Sequence, residues 1–469
     1  MKTKVTKLLS VILTFVMLTS TLSAFAITAN AEPAYKTTKI KGIAYTYYIK
    51  DGTACVLYAT AGSSIKNVIK LASRIKGKKI KTIGYIETRE SKAKTLIIPN
   101  CVERVGPTDR ESLTGVTSFT LETIKIGTGL KTIKFNPFCC GKNFVVAKGN
   151  KHFSSEKGVL YNKNKTALYA YPADRKAKSV TIKRTVKTIK ERAFCYSNVK
   201  TINLNNVEKV ESDVFYRSKV TKVKLGAKLK YFTAEAFSNY EYSLKKIELN
   251  KKNKHFKLKN GVLFNKDCTK LVLYPPYRQG KTYRIPKTVK TVGKNAFYTD
   301  FDSKKLKKVI VPSSVTVVES GAFASDELEA NIPSKVKIIG NRAYRGSGIK
   351  NAKLPKTVTS LGYEAFCSCF KLTSVDISKA KIKTIKQFTF CATNVESVTI
   401  PKSVKTVKMY AFDSDKLKRV TVKGKDTELK RYAIGNYAGY EEKPTVVAPK
   451  GSKAEKFAKK YKFNFEVLK

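Results

Sequence analysis

The chain has 469 residues, 42% of them hydrophobic, so it can bury a large core, yet nothing divides it into ordinary globular domains. It carries 93 Lys and Arg against 35 Asp and Glu, a formal net charge of +58. Such a charge opposes compactness by self-repulsion and favours attachment to polyanions. Two histidines and no tryptophan leave little material for imidazole catalysis or for a sugar-stacking platform.

The first segment in the chain, residues 1–31, has the pattern of a secretory signal peptide. Lys2, Lys4 and Lys7 form a positive start, and an apolar stretch comes next over residues 8–18. The Ala-Asn-Ala of residues 29–31 suits signal peptidase, and a cut after Ala26 is an alternative. The apolar stretch is shorter than the ~20 residues of a membrane-spanning helix. We therefore predict a secreted, extracellular protein, either soluble or held non-covalently at the cell wall.

Internal repeats organise most of the remaining chain. An apolar residue is followed at +3 by another, and at +7 and +8 by a small residue and an aromatic. Nine clear units lie between residues 186 and 422, and two degenerate ones lie around Val102 and Leu130. The units begin with Val186, Val207, Leu229, Val289, Val315, Val336, Val358, Ile382 and Val404. Each is followed by a short β-branched run, often ended by Pro, which fits a strand with one buried face.

One such unit cannot bury its own apolar face, but stacked units can, so the repeats predict a solenoid. We expect a β-rich solenoid over residues 94–448, with short turns or helices in each repeat. Two inserted hairpin units occupy residues 150–172 and 253–275, where Asn-Lys-His-Phe recurs. An N-terminal cap of strands and a linker should cover residues 32–93. A C-terminal cap of a helix and a strand should cover residues 449–469, with the helix near residues 452–461.

These units resemble the BspA-type leucine-rich repeats of bacterial surface proteins. The resemblance is carried by Ile332-Pro333, Ile339-Gly340 and Ala343-Tyr344, and again by the unit from Leu354-Pro355 to Leu372. The inserted units, the opening strands at residues 45–57 and the tail at residues 449–461 resemble the same family. The resemblance implies a leucine-rich-repeat solenoid at a bacterial surface and a role in adhesion or protein binding. It supplies no ligand.

The sequence contains no motif that indicates catalysis. His152 and His255 occupy equivalent positions in the two inserted units, which favours a structural role over a catalytic or metal-binding one. The chain has no G-x-S-x-G, Walker A, G-x-G-x-x-G or H-E-x-x-H sequence. We predict that the protein is not an enzyme and takes no cofactor or metal. The alternative is a hydrolase with a site in the inserted units.

Basic residues recur at two positions of the repeat. Because equivalent side chains of stacked strands lie about 4.8 Å apart, they should form ladders that hold an extended polyanion. The first ladder follows the first apolar position: Lys187, Lys230, Lys290, Lys337, Lys383 and Lys405, with Glu208, Thr316 and Thr359 between them. The second occupies the strand positions before the second apolar residue: Lys200, Lys222, Lys245, Lys246, Lys307, Lys308, Lys350, Lys418 and Arg419.

The predicted partner of these ladders is an anionic cell-wall polymer or a macromolecule of a host or partner surface. A nucleic-acid-binding matrix protein is the main alternative, and it requires exposed rings beside the lysines. A further alternative is that the lysines form a solvated surface that only keeps the protein soluble and binds no ligand.

Nine cysteines cannot all pair internally. Cys139, Cys195, Cys367 and Cys391 each follow a Phe at the same repeat position, which suggests a slot for a buried thiol. Cys367 and Cys391 belong to adjacent units and could be within disulfide reach, but we favour free thiols.

Overall fold

A computed structural model of the chain describes residues 34–88, 90–106, 121–134, 138, 141–237, 244–298, 306–435 and 443–469. The predicted signal peptide lies outside these residues. Within them the chain winds into a β-solenoid of about 17 turns, as the repeats predicted. Three stretches of chain make each turn: a strand of two to four residues, a two-residue strand that comes after a corner, and a tight turn that carries the small-aromatic pair.

The N-terminal part forms a cap of strands that continues into the solenoid. Strands β1 to β3 pair antiparallel, and β3 then pairs parallel with β6. From there β6, β8 and β10 continue one sheet, and β4, β7, β9 and β11 form a second. The strands are β1 (Lys36–Ile40), β2 (Ile43–Lys50), β3 (Thr53–Ala61), β4 (Val68–Lys70), β5 (Arg74–Ile75), β6 (Lys78–Glu87), β7 (Thr95–Ile98), β8 (Arg104–Val105), β9 (Thr123–Ile126), β10 (Thr132–Ile133) and β11 (Asn143–Val146).

The first inserted unit is a three-stranded meander whose last strand joins the solenoid. β12 and β13 form an antiparallel hairpin, and β14 pairs antiparallel with β13 but parallel with β16. The strands of this part are β12 (Phe153–Glu156), β13 (Val159–Asn162), β14 (Ala167–Ala170), β15 (Ser179–Thr181), β16 (Thr188–Ile189), β17 (Thr201–Asn203), β18 (Lys209–Val210), β19 (Lys222–Leu225) and β20 (Lys246–Leu249). A 3-10 helix covers Ala234–Phe237.

The second inserted unit repeats this arrangement, and the solenoid then runs to the C-terminal cap. Its strands are β21 (Phe256–Lys259), β22 (Val262–Asn265), β23 (Lys270–Leu273), β24 (Thr282–Arg284), β25 (Thr291–Val292), β26 (Lys308–Ile310), β27 (Val317–Val318), β28 (Glu329–Ala330), β29 (Ile338–Ile339), β30 (Asn351–Lys353), β31 (Ser360–Leu361), β32 (Ser374–Asp376), β33 (Thr384–Ile385), β34 (Ser397–Ile400), β35 (Thr406–Val407), β36 (Arg419–Val422), β37 (Glu428–Leu429), β38 (Thr445–Ala448) and β39 (Phe465–Val467). Helix α1 (Lys453–Tyr461) packs on β37 and β38. Ser452 caps the helix by accepting a hydrogen bond from the Glu455 amide.

Parallel pairing places the strands on two faces. The long-strand face contains β15, β17, β19 and β20, and further on β24, β26 and β28. The short-strand face contains β14, β16 and β18, and then β23, β25, β27, β29 and β31. Alternation decides which side chains are buried: in β34, Val398 and Ile400 point into the core while Ser397 and Thr399 do not.

The buried rings of the small-aromatic pairs form a continuous column inside the solenoid. Consecutive ring centroids from Phe297 through Phe323, Tyr344, Phe366 and Phe390 to Phe412 lie 5.1–5.4 Å apart. Each ring therefore packs against the rings of the repeats on both sides, which couples neighbouring repeats.

The inserted units join three otherwise separate hydrophobic clusters. In β22, Leu263 belongs to the cluster on the N-terminal side, whereas Val262 and Phe264 belong to the cluster on the C-terminal side. In β13, Leu160 belongs to the cluster on the N-terminal side, whereas Val159 and Tyr161 belong to the cluster on the C-terminal side. Alternating side chains of one strand thus pack into both clusters.

Candidate anion-binding surface

The first ladder follows one edge of the short-strand face. The Glu208 amide donates to the Lys187 carbonyl, and the Lys230 amide to the Glu208 carbonyl, each at 2.8 Å. Further along, amide-to-carbonyl bonds of 2.8–2.9 Å connect Lys290, Thr316, Lys337 and Thr359 in that order. The Lys405 amide likewise donates to the Lys383 carbonyl at 2.8 Å. Within each of these three runs the structure therefore places the residues at equivalent positions of stacked repeats. The second and third runs belong to separate sheets, since β31 ends one sheet and β33 begins another.

Carboxylates neutralise the N-terminal part of this ladder but not its C-terminal part. The Glu208 carboxylate lies 3.4 Å from Lys187 Nζ and 3.5 Å from Lys230 Nζ. The hydrogen bond from Lys187, helped by the charge of Lys230, lowers the pKa of Glu208. In contrast, Lys290, Lys337, Lys383 and Lys405 form no ion pair within the described residues, and all four are exposed. We call these four residues the open lysine track.

The second ladder differs from the expectation in its register. The Thr221 amide donates to the Lys200 carbonyl, and the Lys245 amide to the Thr221 carbonyl. Thr221 therefore stands between Lys200 and Lys245, while Lys222 aligns with Thr201 and Lys246. The prediction of one like-charged column is wrong here, because a shift of one residue along a strand turns the side chain to the other face.

Many charges of the second ladder are also paired. Lys222 Nζ lies 2.6 Å from Glu248, Lys307 Nζ 3.9 Å from Glu327, and Lys418 Nζ 3.2 Å from Glu396. Arg419 holds Glu466 with two guanidinium nitrogens, which lowers the pKa of that carboxyl. Among the described contacts, the second-ladder residues without an ion pair are Lys200, Lys245, Lys308 and Lys350. Of these four, Lys200 and Lys245 share one column, with Thr221 between them.

A groove crosses the corner between the two faces at the start of the open lysine track. It has a volume of about 680 Å³, and its cations come from Arg284, Lys287, Lys290 and Lys335. No carboxylate lines it, and none of these four cations forms an ion pair within the described chain. We call it the basic groove.

The depth of the basic groove is due to small residues in its middle repeat. Ser313, Ser314 and Thr316 occupy the positions that Lys287, Thr288 and Lys290 hold one repeat earlier. The Ser314 hydroxyl donates a hydrogen bond of 2.8 Å to the Val289 carbonyl, whereas the Thr316 hydroxyl makes only a long bond of 3.4 Å to the Lys290 carbonyl. Short hydroxyl side chains thus form a floor between longer cationic walls.

An aromatic column on the third side of the solenoid was not found from the sequence. Half-buried Phe388 stacks on Tyr410 at 5.0 Å and 9°, and Tyr410 stacks on Tyr432 at 5.6 Å and 3°. All three have φ between 57° and 59°, a left-handed conformation that is costly for aromatic residues. The available signal was the recurrence of Lys-Gln-Phe and Lys-Met-Tyr just before small-aromatic pairs, and of Lys-Arg-Tyr just before Ala433-Ile434.

The same column bears on the nucleic-acid alternative. Lys386 and Lys408 flank the rings and are exposed, so rings and lysines do interleave on this side. The parallel rings cover one another, and the Arg431 guanidinium lies 4.6 Å from the Tyr432 ring centroid. Their faces are therefore occupied by protein, and a nucleobase stacks on a face. The arrangement does not favour base stacking.

The cysteines follow the expectation only in part. Cys367, Cys369 and Cys391 are free and buried, and the thiols of Cys367 and Cys391 are hydrogen-bonded to each other across adjacent repeats. That hydrogen bond lowers the pKa of Cys367 and raises that of Cys391. Cys195, in contrast, is disulfide-bonded, so the prediction of a buried thiol is wrong at that position. Cys139 lies outside the described residues.

The inserted units hold buried asparagines rather than a reactive cluster. Asn253 Nδ2 donates to the carbonyls of Gly226 and Leu229, and its Oδ1 accepts from the amides of His255 and Phe256. Asn150 has the equivalent four bonds in the first unit. These side chains are saturated by structural hydrogen bonds. The described residues also include no group of three or more His, Cys, Asp or Glu suited to hold a metal ion.

Stacked parallel strands, a buried column of rings and capped ends define the class: a leucine-rich-repeat solenoid. The model of the BspA type leucine rich repeat region matches residues 164–274, 277–330 and 328–439, in six copies. The chain therefore belongs to the BspA-type leucine-rich-repeat family, which suggests binding or adhesion at a bacterial surface. None of the helices in the described residues is long and apolar enough to cross a membrane.

Three solved structures are similar to the chain at low sequence identity. The pneumococcal vaccine antigen PcpA is 15% identical with a TM-score of 0.46, over 93% of this chain and 100% of that one. A leucine-rich repeat protein from Eubacterium ventriosum is 19% identical with a TM-score of 0.43, over 87% and 96%. A leucine-rich cell surface protein from Faecalibacterium prausnitzii is 17% identical with a TM-score of 0.39, over 88% and 97%. No curated protein matches the chain.

Proposed function

We propose that this protein is exported and acts as a binding protein at the cell surface, where it engages an anionic envelope polymer through the open lysine track. The observation that carries the proposal is the uneven neutralisation of the first ladder. Glu208 forms ion pairs with Lys187 and Lys230, whereas Lys290, Lys337, Lys383 and Lys405 are exposed and form no ion pair among the described residues. A polymer with regularly spaced charges can neutralise all four at once.

The physical driving force is the release of counterions. Each lysine that neutralises a polymer charge sets free a condensed counterion, so affinity falls steeply as salt rises. Lysine ammonium groups on flexible stems suit diffuse attraction better than bidentate recognition. The position of the track on regular repeats favours an extended ligand over a compact one.

The test compares two fourfold variants with equal changes in net charge. The track variant is K290Q/K337Q/K383Q/K405Q, and the control is K187Q/K222Q/K230Q/K418Q, in which every replaced lysine has a carboxylate partner. Binding of purified protein to teichoic acid is measured by calorimetry across a salt series. We expect the track variant to lower the slope of log affinity against log salt by about 1 per lysine removed, and the control to lower it much less.

Two results would contradict the proposal. Equal losses in both variants would mean that only net charge matters. Absence of binding to teichoic acid at any salt would leave the lysines as solvated surface and direct the search to a protein partner. Single- and double-stranded DNA are included as ligands, and we expect weaker binding because the ring faces of the aromatic column are covered.

A further inference from the structure

The basic groove has features that a simple lysine surface lacks. Three successive repeats line it: the first supplies Arg284, Lys287 and Lys290 on one side, and the third supplies Lys335 on the other. A hydroxyl floor lies between them, because Ser313 and Thr316 replace lysines of the preceding repeat. An anion placed there meets positive charge from both walls and hydroxyl donors below.

The floor also retains hydrogen-bonding capacity. Ser313 is exposed and makes no side-chain hydrogen bond among the described residues, and the Thr316 hydroxyl makes only its long 3.4 Å bond. The Ser313 and Ser314 amides donate in none of the hydrogen bonds of the described chain. Hydrogen bonds from hydroxyl and amide groups to a charged oxygen are about twice as strong as neutral ones.

The residues of the groove also indicate what kind of anion fits. No aromatic ring lines it, so a sugar ring or a nucleobase has no surface on which to stack. No carboxylate or carboxamide side chain is present to accept hydrogen bonds from several sugar hydroxyls. The polar side chains of the groove are cations and hydroxyl groups, and Ile285, Pro286, Ile310 and Pro312 complete its lining. Its ligand should therefore carry the charge in a slim, flexible backbone, rather than on the rim of a ring.

We propose that the basic groove is a specific subsite for the phosphodiester group of a polyol-phosphate chain. The subsite rests on the proposed function, since it assigns the class of polymer and the point at which binding becomes selective. The open lysine track supplies long-range attraction along the polymer. The groove supplies the hydrogen bonds that distinguish a phosphodiester from other anions.

The test removes hydroxyl groups without changing the charge. The groove variant is S313A/T316V, and the matched control is S334A/T359V, which makes the same changes at the equivalent positions of later repeats. The control is closely matched because Thr359 makes the same 3.4 Å bond to the preceding lysine carbonyl, that of Lys337. Binding of the purified protein to poly(glycerol phosphate), heparin and DNA is measured at one moderate salt concentration, after thermal unfolding shows that both variants are folded.

We expect S313A/T316V to lower the affinity for poly(glycerol phosphate) about tenfold, and S334A/T359V to lower it less than about twofold. Affinity for heparin and DNA should change little in either variant. Unchanged binding of poly(glycerol phosphate) by S313A/T316V would overturn the subsite while leaving the lysine track intact. An equal loss for heparin would overturn the assignment to phosphodiesters. If the wild-type protein fails to bind poly(glycerol phosphate) at low salt, the proposed function itself fails.

Discussion

Replacement of Phe366 by alanine tests whether the column of buried rings couples the repeats. Phe366 is fully buried, and its ring stacks on Tyr344 at 5.1 Å and on Phe390 at 5.3 Å. Truncation of a buried Phe to Ala commonly costs about 3–5 kcal/mol in the free energy of unfolding. The site cannot easily collapse, because amide-to-carbonyl bonds of 2.8 Å tie its backbone to the repeats on both sides. We therefore expect a loss near the upper end, about 5 kcal/mol.

The same repeat offers a matched control in Phe370, which is 67% exposed. Phe370→Ala removes the same atoms without opening a cavity, so we expect a change of less than about 0.5 kcal/mol. Both variants are compared with the wild type by urea unfolding followed by far-UV circular dichroism. Because stability of a solenoid is a sum of nearest-neighbour interfaces, Phe366→Ala should also broaden or split the transition. A loss below about 2 kcal/mol with an unchanged transition would refute this reasoning.

Two further predictions concern the buried polar groups of neighbouring repeats. Burial raises the pKa of Glu364, but hydrogen bonds from Arg342 and Tyr363 outweigh it and hold the pKa below its ordinary value of 4.5. A lowered pKa gives stability that is present above pH 4.5 and is lost as pH falls below it. The excess stability of the wild type over Glu364→Gln, measured by urea unfolding, should therefore be constant above about pH 5 and shrink at lower pH; an excess independent of pH would contradict this. Alkylation of the unfolded, unreduced protein followed by peptide mass measurement should label Cys367 and Cys391 but not Cys195, and a two-dalton deficit joining the first two would show a disulfide instead.

The sequence was sufficient for the class of fold because the relevant signal is local and repeated. The spacing of Val336, Ile339 and Ala343-Tyr344 recurs in unit after unit, and each position has the same neighbours in the stack. Burial therefore follows the repeat: all these side chains are essentially inaccessible in the structure. The first ladder was equally readable, because its residues hold a fixed place beside a buried position.

The sequence did not reveal which charges remain open. Glu208 and Lys230 are 22 residues apart along the chain but one repeat apart in space, and only the stack brings their side chains together. Register limited the second ladder in a similar way, since Lys200 and Lys222 occupy positions one residue apart on adjacent strands. Small differences in repeat length decide these alignments, and a count of the lysines does not show which of them align.

Length, composition and repeat pattern by themselves determined a capped, strongly basic leucine-rich-repeat solenoid, because each repeat must bury the same face against its neighbours. Only the tertiary structure decided that carboxylates form ion pairs with the N-terminal lysines of the first ladder. It also decided that the rings near Tyr410 cover one another, and that Ser313 and Thr316 form the floor of a groove between cationic walls. These features depend on contacts between side chains of successive turns. Such contacts are set by the stacking of the turns rather than by the local sequence.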